Sequence, residues 1–117
     1  MIKKIFRLKE KDLKKVLLKW KPFFSYGIVL NLYKNKLDFN RFWIVISWKS
    51  VKNNINRNYF RRMFYEKIRW KEDIKKENNS FDFVFVIKKQ NILDKQNILI
   101  VDNFKKDIVF LTKKVIF

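Results

Sequence analysis

The chain of 117 residues contains no cysteine and no histidine. The first absence excludes disulfides, thiolate metal centres and cysteine nucleophiles, and the second removes the commonest general base at neutral pH. Alanine is also missing, and glycine and proline occur once each, at Gly27 and Pro22. Together with abundant Lys, Asn, Ile and Phe, this bias is what an AT-rich genome produces, so part of the lysine content reflects codon usage. Long hydrophobic runs are lacking at the N-terminus, where MIKKIFRLKEKDLKKV is broken repeatedly by charge. Neither a signal peptide nor a membrane span is expected there, and the expected location is cytoplasmic. Acidic residues are scarce: 11 stand against 29 basic ones, giving a net charge of +18. Such a field favours polyanionic partners, with nucleic acid ahead of a membrane surface. The length suits one domain, 1–117.

Arginine is more informative than lysine. Five of the six arginines, Arg41, Arg57, Arg61, Arg62 and Arg69, fall in one part of the chain, and Arg7 alone lies outside it. At about 100° per residue, a helix over 50–69 places Arg57, Arg61, Tyr65, Asn58, Arg69 and Arg62 within an arc of roughly 140°. Ile55, Tyr59, Phe60 and Met63 take the other side. One side is expected to pack on a sheet while the other presents planar guanidinium forks, which suit bidentate contact with phosphate better than lysine does. This pairing of strand and arginine-bearing helix points to RNA.

Periodicity supplies the remaining elements. Leu13, Val16, Leu17 and Trp20 recur at helical spacing until Pro22, predicting a short helix over 9–20. From Phe24 to Tyr33 the two-residue period of a strand appears, with Phe24, Tyr26, Ile28, Leu30 and Leu32 on one side. Residues 41–48 are almost wholly apolar, as expected of a central strand covered on both faces. Ser50 is the expected cap of the following helix, which runs to about Trp70. A charged loop over 71–80 precedes a strand with Phe81, Phe83, Phe85 and Ile87 on one side. The stretch 91–101 reads equally as a short strand or an irregular connection. Asp102 or Asn103 is the expected cap of a last helix, lined by Phe104, Ile108, Leu111 and Val115. The order predicts an α+β fold: a small, mostly antiparallel sheet of about four strands packed with three helices and containing a β-α-β crossover.

The segment 41–66 resembles the protein subunit of bacterial ribonuclease P. That family's hallmark reads roughly R-x-G-x-x-V-x-K-K, a short spacer, then R-N-R-x-x-R-x-x-R-E. Arg41, Ile46, Lys49, Val51, Arg57, Asn58, Arg61, Arg62 and Glu66 stand at matching positions without a gap. The flanking order agrees: a helix and an aromatic strand before, the FDFVFV strand and an amphipathic helix after. Four departures stand out, because Trp43, Trp48, Tyr59 and Tyr65 replace glycine or basic residues of the hallmark. Tyrosine stacks on a base or donates one hydrogen bond but neutralises no phosphate.

The resemblance implies a protein that cuts no RNA itself but assists a catalytic RNA in removing the 5′ leader of precursor tRNA. Its expected partners are that RNA and precursor tRNA, with no membrane and no DNA. No cofactor or metal is expected on the protein, and magnesium is expected in the RNA holoenzyme. The expected RNA-binding residues are Arg57, Asn58, Arg61, Arg62, Lys49, Lys52, Tyr59, Tyr65, Arg41 and Arg69. Phe24, Tyr26 and Tyr33 are the candidates for stacking on leader nucleotides. No catalytic residue is assigned. Two rival readings are a structural RNA-binding protein of the ribosomal type and a magnesium-dependent nuclease acting through Asp82 or Asp102. The acidic cluster Glu72, Asp73 and Glu77 sits among lysines in an expected loop, whereas a two-metal site needs carboxylates converging from rigid elements.

Overall fold

The structure, a computed structural model, describes residues 21–35, 37, 39–51, 53–68 and 80–116. The helix expected over 9–20, the loop over 71–79, Lys52 and Arg69 lie outside the described residues.

Four strands form one sheet: β1 (Lys21–Phe24), β2 (Ile28–Asn35), β3 (Arg41–Val45) and β4 (Ser80–Ile87). Their order is β1-β2-β4-β3. β1 pairs with β2 and β2 with β4 antiparallel, whereas β3 pairs with β4 in parallel. A parallel neighbour requires a crossover, and it is supplied by α1 (Asn54–Ile68). A second helix, α2 (Ile98–Ile116), closes the described chain. The α+β class, the mostly antiparallel sheet and the β-α-β crossover agree with expectation.

The register explains the core. Leu30 lies opposite Phe85, which lies opposite Ile44, and Leu32, Phe83 and Phe42 form the next row. These rows face both helices. Phe60 and Phe64 of α1 and Phe104 and Ile108 of α2 join Ile28, Leu30, Phe42, Ile44, Phe83 and Phe85 in one buried cluster. The aromatic rings contact directly: Phe42 stacks on Phe83 at 4.9 Å, while Phe64 meets Phe85 at 4.9 Å and Phe60 meets Phe104 at 5.0 Å, both edge to face. Such pairs add about 0.5–1.5 kcal/mol each beyond the area they bury. On the opposite face, Tyr33, Trp43, Val45 and Val86 surround the buried Val84.

Several boundaries differ from the sequence expectation. The alternation from Phe24 to Tyr33 is two strands, broken at Ser25, Tyr26 and Gly27. The backbone N–H of Ser25 donates to the Ile28 carbonyl at 2.9 Å, closing the hairpin. A Cβ on Gly27 would meet Cγ of Asn91 at 2.9 Å and Oδ2 of Asp107 at 3.0 Å, so a larger residue at the tip requires those side chains to shift. Pro22, expected only to stop a helix, lies within β1, where an end position in the sheet order tolerates a missing N–H donor. β3 is likewise an end strand, not a central one: Phe42 and Ile44 are buried, and Trp43 and Val45 only half-buried.

The caps differ too. Asn53, not Ser50, caps α1, its Oδ1 accepting from the Asn56 N–H at 2.8 Å. Ser50 is buried and donates its hydroxyl to the Lys88 carbonyl at 3.1 Å. It serves instead to tie the β3–α1 loop to the segment after β4, as does the Leu93 N–H bond to the Ser50 carbonyl at 2.8 Å. α2 starts before the expected position: the Asn97 side chain accepts from the Leu99 and Ile100 N–H groups at 3.1 and 3.3 Å. The stretch before it is an irregular connection.

Candidate RNA interface

α1 is rotated relative to the sequence expectation. Its buried residues are Phe60, Phe64, Tyr65 and Ile68, an arc of roughly 140° at the ideal helical increment. Ile55 and Tyr59, expected on the packed side, are 66% and 37% exposed. The stripe of Phe60, Phe64 and Ile68 decides the packing, because three apolar residues at four-residue spacing outweigh Ile55 and Met63. Asn58, Tyr59, Arg62 and Glu66 face solvent. Arg57 and Arg61 share angular positions with the buried stripe and are half-buried.

Two residues expected to touch RNA are committed elsewhere. Tyr65 is 2% exposed and packs edge to face on Phe64 at 5.1 Å, so it belongs to the core. Arg41 donates from Nε to Oδ1 of Asp82 at 2.9 Å and from a terminal nitrogen to Oδ2 at 2.8 Å. Asp82 is buried and also accepts from Asn35 Nδ2 at 2.8 Å. The fork of Arg41 is thereby occupied by a buried carboxylate across the parallel β3–β4 pair, where Arg41 and Asp82 are direct partners. The same contacts remove Asp82 as a free carboxylate. Asp102 is exposed on α2, and among the described residues no group of three or more potential metal ligands forms.

Lys49 and Arg57 flank the corner where β3 ends and α1 begins. Trp48 and Lys49 are exposed in the connecting turn. The guanidinium carbon of Arg57 lies 3.7 Å from the centroid of the Trp48 ring. Nε of Arg57 is buried and has no acceptor among the described residues. Asn56 Oδ1 accepts the Lys95 N–H at 3.1 Å, bracing this corner against the chain that leads into α2.

Along α1, Arg62 lines a shallow depression of about 700 Å³ with Tyr59, Met63, Glu66, Lys67, Lys105 and Val109. Sequence reasoning missed Lys67 and Lys105, since only the packing of α2 beside α1 brings Lys105 to Arg62. It also passed over Trp48 as a contact, although its replacement of a basic hallmark residue was the available signal.

The stacking candidates do not converge. Phe24 is 57% and Tyr26 90% exposed at the β1–β2 hairpin. They surround, with Phe110 and Lys106 of α2, a second depression of about 470 Å³. Lys88 Nζ lies 5.9 Å from the Phe24 ring centroid. Beside them Asp107 has its pKa raised by burial, opposed by hydrogen bonds from Ser25 and the Gly27 backbone and by the charge of Lys88. Tyr33 instead packs half-buried around Val84.

Among the described residues no helix is long and apolar enough to cross a membrane. Comparison with known proteins places this geometry in a family. Residues 2–114 match the family model for ribonuclease P. The ribonuclease P protein component of Clostridium kluyveri is 30% identical over 86 residues, covering 73% of this chain and 76% of that protein. The RNase P protein of Staphylococcus aureus superposes with a TM-score of 0.76 at 18% identity, covering 96% of this chain and 97% of the other. The RNase P protein of Thermotoga maritima gives 0.73 at 19% identity, covering 93% and 96%. The hallmark on β3 and α1, the crossover fold and these matches agree, and the chain belongs to the ribonuclease P protein family, the protein component of an RNA-processing endoribonuclease.

Proposed function

We propose that this protein binds the catalytic RNA of ribonuclease P and helps it remove the 5′ leader from precursor tRNA. One observation carries the reading: the hallmark residues Lys49, Asn58 and Arg62 are exposed, and the Arg57 guanidinium lies over the Trp48 ring. Cations and planar donors at a strand–helix corner neutralise phosphate and fix register without reading sequence. Lys67 and Lys105 extend the positive surface along α1. The single-stranded leader is offered aromatic surface at Phe24 and Tyr26, both exposed.

In this reading the scissile chemistry and its magnesium belong to the RNA. Magnesium takes oxygen ligands and retains several waters, and phosphate oxygens of a folded RNA supply them. Of the two carboxylates named for a protein-only nuclease, Asp82 is bonded to Arg41 and Asn35, and Asp102 is exposed on α2.

The test is precursor-tRNA cleavage at low magnesium with this protein alone, a cognate catalytic RNA alone, and the two together. Stimulation in the mixture only is the expected result. Cleavage by pure protein, or no stimulation of an RNA that is active alone at high magnesium, refutes the reading.

A further inference from the structure

Trp48 is a large apolar side chain that the fold leaves 61% exposed, in the turn between β3 and α1. One face of its indole is covered by the Arg57 guanidinium at 3.7 Å. With that face covered, exposure of this size requires the other face to be open. The stack does not satisfy Arg57, whose shielded Nε–H has no acceptor among the described residues. A buried donor left unpaired is costly, and a native structure keeps such a group where another demand fixes it. Lys49, next to Trp48 in the turn, is exposed, so a cation flanks the ring. An exposed ring flanked by cations suits RNA, because every nucleobase has a π-face that stacks without sequence preference and the phosphates beside it are anionic.

We propose that the open face of Trp48 is a platform for one unpaired nucleobase of RNA, while Arg57, held on the opposite face, engages a neighbouring phosphate. The ligand is thus a single-stranded or bulged nucleotide, not a duplex. Where the family hallmark has a basic residue, this chain makes its contact by stacking. The proposal rests on the RNA-binding reading above.

The experiment measures binding of the full chain to a labelled single-stranded oligouridine of about 12 nucleotides and to a duplex of equal length, across a salt series. Wild type is compared with Trp48→Ala, Trp48→Phe and Trp48→Lys. Trp48→Ala is expected to weaken single-strand binding roughly 5- to 150-fold, the loss of one base–aromatic stack. Its salt slope should stay unchanged, and its duplex binding should stay close to wild type. Trp48→Phe should retain most of the affinity. Trp48→Lys should steepen the salt slope and fail to restore affinity at high salt. Photocrosslinking of a 5-iodouridine oligomer to wild type and to Trp48→Phe, but not to Trp48→Ala, would place the base on the ring.

Equal binding by Trp48→Ala overturns the proposal and leaves the indole as a protein contact. Equal losses on single strand and duplex overturn it too, because Trp48 would then act only by positioning Arg57. Failure of wild type to bind either RNA would instead strike the RNA-binding reading itself.

Discussion

Replacing Arg41 by alanine should unfold this protein more readily without a specific effect on RNA. Arg41 provides two of the three hydrogen bonds described on the Asp82 carboxylate, at 2.9 and 2.8 Å, with Asn35 providing the third. The side chains of Arg41 and Asp82 are 16% and 2% exposed. Removing the guanidinium leaves a buried charge with one neutral donor, a situation that costs about 3–5 kcal/mol. Against a typical total stability of about 5–15 kcal/mol, that is a large fraction. The double variant Arg41→Met, Asp82→Leu should recover most of the loss, since apolar residues of similar volume commonly match or exceed a buried ion pair. Urea titration followed by circular dichroism measures both variants, and the cycle isolates the coupling. RNA binding is then assayed at a temperature where each variant is folded. An Arg41→Ala protein that loses under about 1 kcal/mol of stability while its RNA affinity collapses would refute the assignment and return Arg41 to the interface.

Tyr65→Ala should cost about 3–5 kcal/mol as a buried aromatic truncated to a cavity, and Tyr65→Arg, which restores the hallmark residue, should also lower the denaturation midpoint. Arg57→Ala and Arg62→Ala should each reduce the slope of log affinity against log salt by about 1, and the exposed Arg62 should do so with the melting temperature nearly unchanged; a salt-independent affinity would contradict the phosphate role. Asp107 has a folded pKa raised above the ordinary 3.8 by burial. Its contribution to stability is therefore full below 3.8 and is lost as pH rises through the folded value. The stability of wild type relative to Asp107→Asn should accordingly fall across that window, and parallel pH–stability curves would refute the burial argument.

The elements that read well in the sequence are those whose period had a single interpretation. Phe81, Phe83, Phe85 and Ile87 pack on the helical side of the sheet as their alternation implies, Phe81 partly and the others fully buried. Phe104, Ile108 and Leu111 likewise line the buried face of α2. The rotation of α1 was not legible, because its apolar residues surround much of the helix and the choice between the Ile55–Met63 side and the Phe60–Ile68 stripe is made by what the sheet offers. The break at Gly27 was hidden by continuous alternation. It is enforced from elsewhere, by the Lys88 N–H and Asn91 Nδ2, which donate to the Gly27 carbonyl at 3.0 and 3.1 Å. Ser50 and Asn53 are equally good caps by type, and the demand of the Lys88 carbonyl on Ser50 decides between them. In the site, the hallmark positions were legible, but the engagement of Arg41 was not, since Asp82 lies 41 residues away in sequence.

The four departures from the family hallmark suggested a weakened interface when only their types were considered. Placed in the fold, they separate. Tyr65 is buried in the main core, and Trp43 packs half-buried around Val84. Neither occupies exposed surface at the β3–α1 corner, so aromatic character there strengthens packing instead of displacing a free cation. Tyr59 lies edge to face on Phe60 at 5.3 Å and borders the depression that Arg62, Lys67 and Lys105 make positive. The charge missing at position 59 is thus offset by lysines drawn from two helices. Trp48 alone of the four is largely exposed and holds an arginine. Any change in how this chain would meet RNA is therefore concentrated at Trp48, where an indole has replaced a basic side chain beside Arg57.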